Sequence, residues 1–227
     1  MFRTSIRLAL AVSLLALGLA PAAPRAADLS WTALGGWQGG GVLRLTATAS
    51  NLVAKLPLSF DLGVGHAFID PGNAALARQV FINQNNGGTP EESGGVWDFR
   101  ADGVWGVPVK GFTDVGLTFG IRYSMYSGRF KYVGDNEDFT ITSNAWGFGI
   151  GARGSLPMSK KLSLTAAIGL DWFPTQTLYG HDASYSSNNV NNGRNDGNGV
   201  PYAWSDADRA VNQPWLLPSL LVGVSWK

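Results

Sequence analysis

Cysteine is absent from the chain, which excludes a disulfide scaffold and thiolate metal sites. Histidine is scarce, with two residues in 227, and charged residues make up only 15% of the total. Beyond one stretch near the N-terminus there is no further apolar helix and no internal repeat of fixed period. That stretch has Arg3 and Arg7 ahead of the run Leu8 to Leu19, followed by small residues that include Ala20-Pro21-Ala22. The run is shorter than the roughly 20 residues that cross a bilayer, and its three zones are those of a secretory signal. We expect residues 1–26 to be a cleaved signal peptide and residues 27–227 to form one domain. Losing Arg3, Arg7 and Arg25 takes the formal charge from +1 to −2, so no basic field remains to attract nucleic acid.

What the chain does have is alternation. From Trp146 to Ile150 every even position is large and apolar, and the odd positions around them are Gly, Ala, Ser and Arg. A period of two places successive side chains on opposite faces of a sheet. In a water-soluble barrel the second face would carry Lys and Glu; here it is mostly Gly, Ser and Thr with a few Asp and Arg. Glycine weakens a strand unless crowding requires it, so this face suits the tight inside of a small barrel. The greasy face then points to lipid.

The same two-faced pattern occurs eight times. The predicted strands run Leu29 to Trp37, Val42 to Ala49, Leu56 to Phe68, Val96 to Val107, Val115 to Tyr132, the segment through Trp146, Leu162 to Leu178, and a last one carrying Leu216, Leu220, Val222, Val224 and Trp226. Pro218 counts against the last, because proline cannot donate to a ladder. Short turns at Ser50 to Lys55, Pro108 to Phe112 and Pro157 to Lys161 alternate with long polar segments at Ile69 to Gly95 and Gly180 to Gln213. Bacterial outer-membrane barrels have this alternation and an even strand number. The fold class is therefore all-β, an eight-stranded antiparallel up-and-down transmembrane barrel.

In these features the chain resembles the eight-stranded outer-membrane β-barrel proteins, the OmpA-like and OmpW-like group, over essentially all of residues 27–227. The resemblance implies the outer membrane as location, outer-membrane lipid and lipopolysaccharide as surroundings, a monomer, and the barrel assembly machinery as partner during insertion. Members commonly end in an aromatic residue; here Trp226 is penultimate and Lys227 follows.

Projecting the alternation inward gives Arg44, Asp61, Asp98, Arg100, Asp102, Arg122, Arg153 and Asp171, four cations and four anions. Eight strands enclose a space just wide enough for side chains, and buried charges persist only when paired. A salt-bridged plug is expected, with a gated narrow pore or proton path as the rival. On the lipid face, Trp97, Trp105, Trp146, Trp172 and Trp226 are expected at the membrane interfaces. Trp204, in the last long segment, is the tryptophan placed to stack on a sugar.

Several outer-membrane barrels are enzymes, and most need a histidine beside Ser or Asp. His66 falls on the outward face, and His181 opens the weak motif His181-Asp182-Ala183-Ser184. The His-x-Ser arrangement of a lipid A deacylase is absent, so no catalytic residue is assigned, and no metal or cofactor is expected. Asn188 to Gly199 lacks the regular acidic spacing of a calcium loop and is expected to be mobile. Short helices are expected over Asn73 to Asn83 and over Asp206 to Arg209, the second capped by Ser205. The expected function is non-catalytic, structural or interactive through external loops. The resemblance to OmpW-like proteins suggests a narrow conduit for small apolar molecules as the alternative; a lipid-modifying enzyme comes next, and a soluble lipocalin-like barrel is the outsider.

Overall fold

A computed structural model describes residues 27–52, 56–82, 87–135, 137–188, 193–196 and 198–227. Eight long strands form the barrel: β1 (Asp28–Trp37), β2 (Gly41–Ser50), β3 (Leu58–Ile69), β4 (Thr89–Gly106), β5 (Asp114–Val133), β6 (Asp138–Pro157), β7 (Leu162–Trp172) and β10 (Leu216–Trp226). Between the last two lie the two-residue strands β8 (Leu178–Tyr179) and β9 (Ser184–Tyr185). Helix α1 (Ala74–Phe81) joins β3 to β4, and α2 (Trp204–Ala210) leads back to β10. Each long strand pairs antiparallel with its sequence neighbours, and β1 pairs with β10, so the sheet closes and leaves no edge along the wall. The expected fold class is the observed one. Residues 1–26, with the expected signal peptide, lie outside the described residues, as do 53–55 of the expected turn after β2.

The outward face is apolar, as the alternation predicts. Leu43, Leu62, Phe119, Phe148, Ile150, Ile168 and Leu220 are all more than half exposed. Such a surface, far larger than a soluble monomer tolerates, is what a lipid-facing wall requires. Among the described residues no helix is long and apolar enough to cross a membrane. The strands make the crossing.

Several boundaries differ from expectation, and β3 begins at Leu58 rather than Leu56. Strand β7 stops at Trp172 rather than Leu178, two residues before Pro174, which has no N–H to continue the ladder. Strand β4 starts at Thr89 rather than Val96, so the last part of the expected long polar segment, Thr89 to Gly95, is strand. Strands β5 and β6 have 20 residues each, about twice the 9–11 that a membrane needs. Their far ends therefore stand in water as a tall wall, while β1, β2, β7 and β10 end low. Pro218 is accommodated in β10 because the β1 ladder ends with Trp37 opposite Leu220, so on that side the missing N–H removes no ladder bond.

Where the wall leaves the membrane its faces exchange character. On β5, Leu117, Phe119, Ile121 and Met125 point outward; farther up, Tyr126, Phe130 and Tyr132 point inward and are buried, with Arg129 and Lys131 outside. Strand β6 does the same with buried Phe139 and Ile141. The inner side of the tall wall is thus an ordinary hydrophobic core. Against it pack Ala77, Val80 and Phe81 of α1, Leu178, Tyr185, and Ala207 and Ala210 of α2.

Candidate functional site: the charged interior and its cap

All eight projected ionic residues lie inside the barrel, and they form two groups. Near mid-height, Arg122 of β5 donates from Nε to Asp171 Oδ1 at 2.7 Å and from Nη1 to Asp102 Oδ1 at 2.6 Å. Arg100 Nη2 reaches Asp98 Oδ2 at 2.5 Å and Asp171 Oδ2 at 3.0 Å. Arg44 joins more loosely, 3.4 Å from Asp98. Toward the short-turn end, Arg153 pairs with Asp61, bonds to Thr48 Oγ1 at 3.3 Å and meets Asp114 at 2.9 Å. Arg122 is 1% exposed and Asp171 2%, so removing either partner would strand a buried charge.

Glycine makes room for these ions. A Cβ on Gly149 would fall on Asp171 Oδ1 and Arg122 Nη2, and one on Gly65 would come within 2.6 Å of Asp98 Oδ1. The glycine-rich inner face is therefore the mould of the charged side chains that cross it. The space left among Thr46, Asp61, Arg100, Asp102, Thr118 and Arg122 is about 50 Å³, room for only a few waters.

Two participants escaped the sequence reading. Gln38, in the turn between β1 and β2, accepts from Arg44 Nη2 at 2.5 Å and donates from Nε2 to Asp171 Oδ2 at 3.1 Å. It lies in a run of glycines where strand periodicity carries no information. Asp114 opens β5 at the edge of the pattern and balances Arg153.

Above the ions sits a folded cap, also unforeseen. Arg78 of α1 is 2% exposed; it pairs with Asp135 and Glu137 of the β5–β6 turn, donates to the Gly87 carbonyl at 2.5 Å, and lies 4.2 Å over the Tyr132 ring. The two carboxylates hold its charge so firmly that, although burial opposes it, its pKa rises above the ordinary guanidinium value. Three tyrosine hydroxyls donate to carbonyls of the β3–β4 connection: Tyr126 to Pro71 at 2.6 Å, Tyr132 to Ala74 at 2.7 Å and Tyr185 to Val80 at 2.6 Å. That connection is stitched to the last one by the Asn73 N–H on the Ala210 carbonyl and the Asn212 N–H on the Pro71 carbonyl.

Helix α1 forms within the expected stretch, with Asn73 Oδ1 accepting from the Leu76 N–H at 3.0 Å as its cap. For α2 the expected cap was wrong. Ser205 lies within the helix; Ala203 is the N-cap residue, and its N–H is taken by Asp206 Oδ2 at 2.9 Å, the half of a capping box that needs no hydroxyl. Within Asn188 to Gly199, residues 189–192 and 197 lie outside the described residues. Arg194, expected to be mobile, donates to the Phe81 carbonyl and, through its N–H, to the Tyr185 hydroxyl.

The tryptophans stand on the outward face in two bands: Trp105 and Trp226 near the short turns, Trp97, Trp146 and Trp172 toward the cap. Trp204 packs against the cap core and bonds the Gln176 carbonyl through Nε1 at 2.8 Å, which removes it as a platform for sugar. His66 faces outward with its ring 4.6 Å from that of Trp97 and 4.7 Å from that of Phe68. The exposed His181 lies 2.7 Å from the Asp182 carboxylate. Among the described residues no three His, Asp or Glu converge to hold a metal ion.

A solved structure shares this architecture. A major outer membrane protein from Thermus thermophilus superposes with a TM-score of 0.69 at 25% identity, covering 89% of this chain and 99% of that one. The chain is a bacterial outer-membrane β-barrel. Looser likenesses extend to Neisserial surface protein A (12% identity, TM-score 0.44, 89% and 99% covered) and Acinetobacter baumannii CarO (15%, 0.43, 87% and 96%). No protein-family model and no curated protein matches the sequence. The apolar band of this outer-membrane barrel therefore meets lipid, and its long-loop end with the cap faces outward, as in barrels of this kind.

Proposed function

We propose that this outer-membrane barrel is a closed, non-catalytic envelope protein that acts through its external cap. The interlocked contacts of Arg122 with Asp102 and Asp171, which leave about 50 Å³ around them, carry the reading. Each ion has a partner of opposite sign inside a narrow wall, and opening a path would strand several of them. The cap supports the same conclusion, since its buried core and hydroxyl bonds make it a firm surface rather than a set of loose loops. Outer-leaflet lipid and lipopolysaccharide surround the wall, with Trp97, Trp105, Trp146, Trp172 and Trp226 anchoring it at the two interfaces. The protein works as a monomer and is inserted by the barrel assembly machinery. His66 among rings and His181 beside a carboxylate supply no nucleophile and base pair, which favours a role without catalysis.

Planar-bilayer recording of the wild-type protein tests the proposal. No steady conductance above the bare membrane is expected, and a stable open level would overturn it. A narrow conduit is the second reading, favoured by cavities of about 240 Å³ below the ions and about 430 Å³ beside the cap. The same recording separates the two.

A further inference from the structure

The low side of the wall holds a feature that the closed barrel leaves unexplained. Between the β1–β2 turn at Gln38 and Gly39, the end of β3, and the stretch that returns from α2 into β10 lies a cavity of about 430 Å³. This is within the range of small-molecule sites. It opens where the external interface must lie, beside the first residues of β10.

One residue distinguishes this cavity. Trp215 precedes β10 and is 67% exposed, and its carbonyl accepts from the Phe173 N–H at 2.9 Å, so the indole projects from an anchored backbone. The interface tryptophans of the wall sit within strands; Trp215 instead lines a cavity that is apolar toward Leu216 and Leu217 and polar at Asp70, Asp208, Arg209, Asn212 and Gln213. These polar groups are already oriented. Gln213 Nε2 donates to Asp208 Oδ1 at 2.7 Å, and Asn212 Nδ2 to the Asp70 carbonyl at 3.2 Å.

Carboxylate acceptors and the Arg209 guanidinium donor, next to amides that both donate and accept, suit a ligand whose own groups do both. A cation would call for acceptors alone and an anion for donors alone. Hydroxyls on a ring with one C–H face meet both conditions, because the apolar face covers an indole while the rim of hydroxyls reaches the polar groups. We propose that this rim pocket is a saccharide-binding site in which a sugar ring stacks on Trp215 and hydrogen-bonds Asp208, Asn212 and Gln213. At the membrane edge the sugar arrives either as a glycolipid headgroup or as a free oligosaccharide. The cavity touches the ionic network only at Gln38, and the groups that would hold the sugar, Trp215, Asp208, Asn212 and Gln213, take no part in that network, so the site holds whether or not the barrel conducts.

The test uses the folded barrel in phosphatidylcholine nanodiscs. Maltotriose, chitotriose and mannotriose are titrated by calorimetry to about 20 mM, which reveals millimolar affinity. In parallel, discs containing diglucosyl diacylglycerol are read by native mass spectrometry for glycolipid retained on the barrel. Saturable binding of a trisaccharide points to free sugar, and retention of one glycolipid without trisaccharide binding points to a headgroup; either supports the proposal. Trp215→Leu, which keeps an apolar group at the membrane edge, should weaken the observed binding about tenfold or more, whereas Trp172→Leu should leave it unchanged. Where Trp215→Leu fails to give the heat-shifted barrel, Trp215→Phe replaces it, with a smaller loss expected. No binding of any probe to the wild type, or binding indifferent to Trp215, overturns the proposal.

Discussion

Arg122 and Asp171 meet at 2.7 Å although β6 runs between their strands, and Gly149, opposite Asp171 in the β6–β7 ladder, has no side chain to part them. A methyl group there would occupy the place of both ions. Gly149→Ala is therefore expected to lower the urea midpoint of unfolding in lipid vesicles, read from the gel-mobility shift, and Gly149→Val to lower it further. An unchanged midpoint would mean that the two ions can rearrange freely.

Arg122→Ala leaves Asp102 and Asp171 short of a buried partner and should cost about 3–5 kcal/mol of barrel stability. Replacing the set Arg122, Asp102 and Asp171 together with apolar residues of similar volume should cost less than Arg122→Ala alone. Equilibrium unfolding of both variants checks the order, and the reverse order would count against a desolvated pair.

In the cap, Arg78→Met should leave the barrel intact and free α1. Losing two ion pairs, a carbonyl contact and the Tyr132 stack, all at a residue 2% exposed, should cost about 3 kcal/mol of local stability, or roughly a hundredfold in open population. External protease on whole cells should then cut near α1 much faster, with the heat-shifted gel mobility unchanged.

The bridge between the two long connections gives a sharper test of the same cap. Gly72 has φ +126°, and a Cβ there would strike the Ala210 carbonyl. Gly72→Val should loosen both helices, detected as amide exchange rising together in α1 and α2. Exchange confined to one helix would show that they are held separately.

Alkaline pH should open the cap. Burial raises the phenol pKa of both Tyr132 and Tyr185, against the opposing pull of Arg78 on the first and of the Arg194 N–H on the second. A raised folded pKa means stability that is complete below the ordinary phenol value of about 10 and is lost as pH rises through the folded values. Tyrosinate absorbance and protease sensitivity should climb together in that range, and Tyr185→Phe should remove part of the dependence. Full protection with both phenols ionised would contradict the assignment.

The wall was legible because strands in lipid obey a strict two-residue rule, and Leu117, Phe119 and Ile121 obey it plainly. The ions were legible for the same reason, since Arg122 and Asp171 fall on the other parity. Gln38 was not, because a turn has no period. The cap was half-written: Tyr126, Phe130 and Tyr132 continue the alternation of β5 on the wrong face for lipid, and Phe139 and Ile141 match them on β6. Period alone says which residues share a face but not whether that face meets lipid, water or protein. Arg78 offered no signal at all, since its partners lie 57 and 59 residues away in a different turn.

The balance of charge inside the wall has an electrical consequence. A voltage does about 2.3 kcal/mol of work on each elementary charge carried across the whole membrane per 100 mV. Setting aside the half-exposed Asp114 at the mouth, the four arginines and four aspartates of the interior sum to zero, so a field pulls its members in opposite directions and does no net work on the set as a body. Polarising the membrane strains the ion pairs without offering any force that would expel them together.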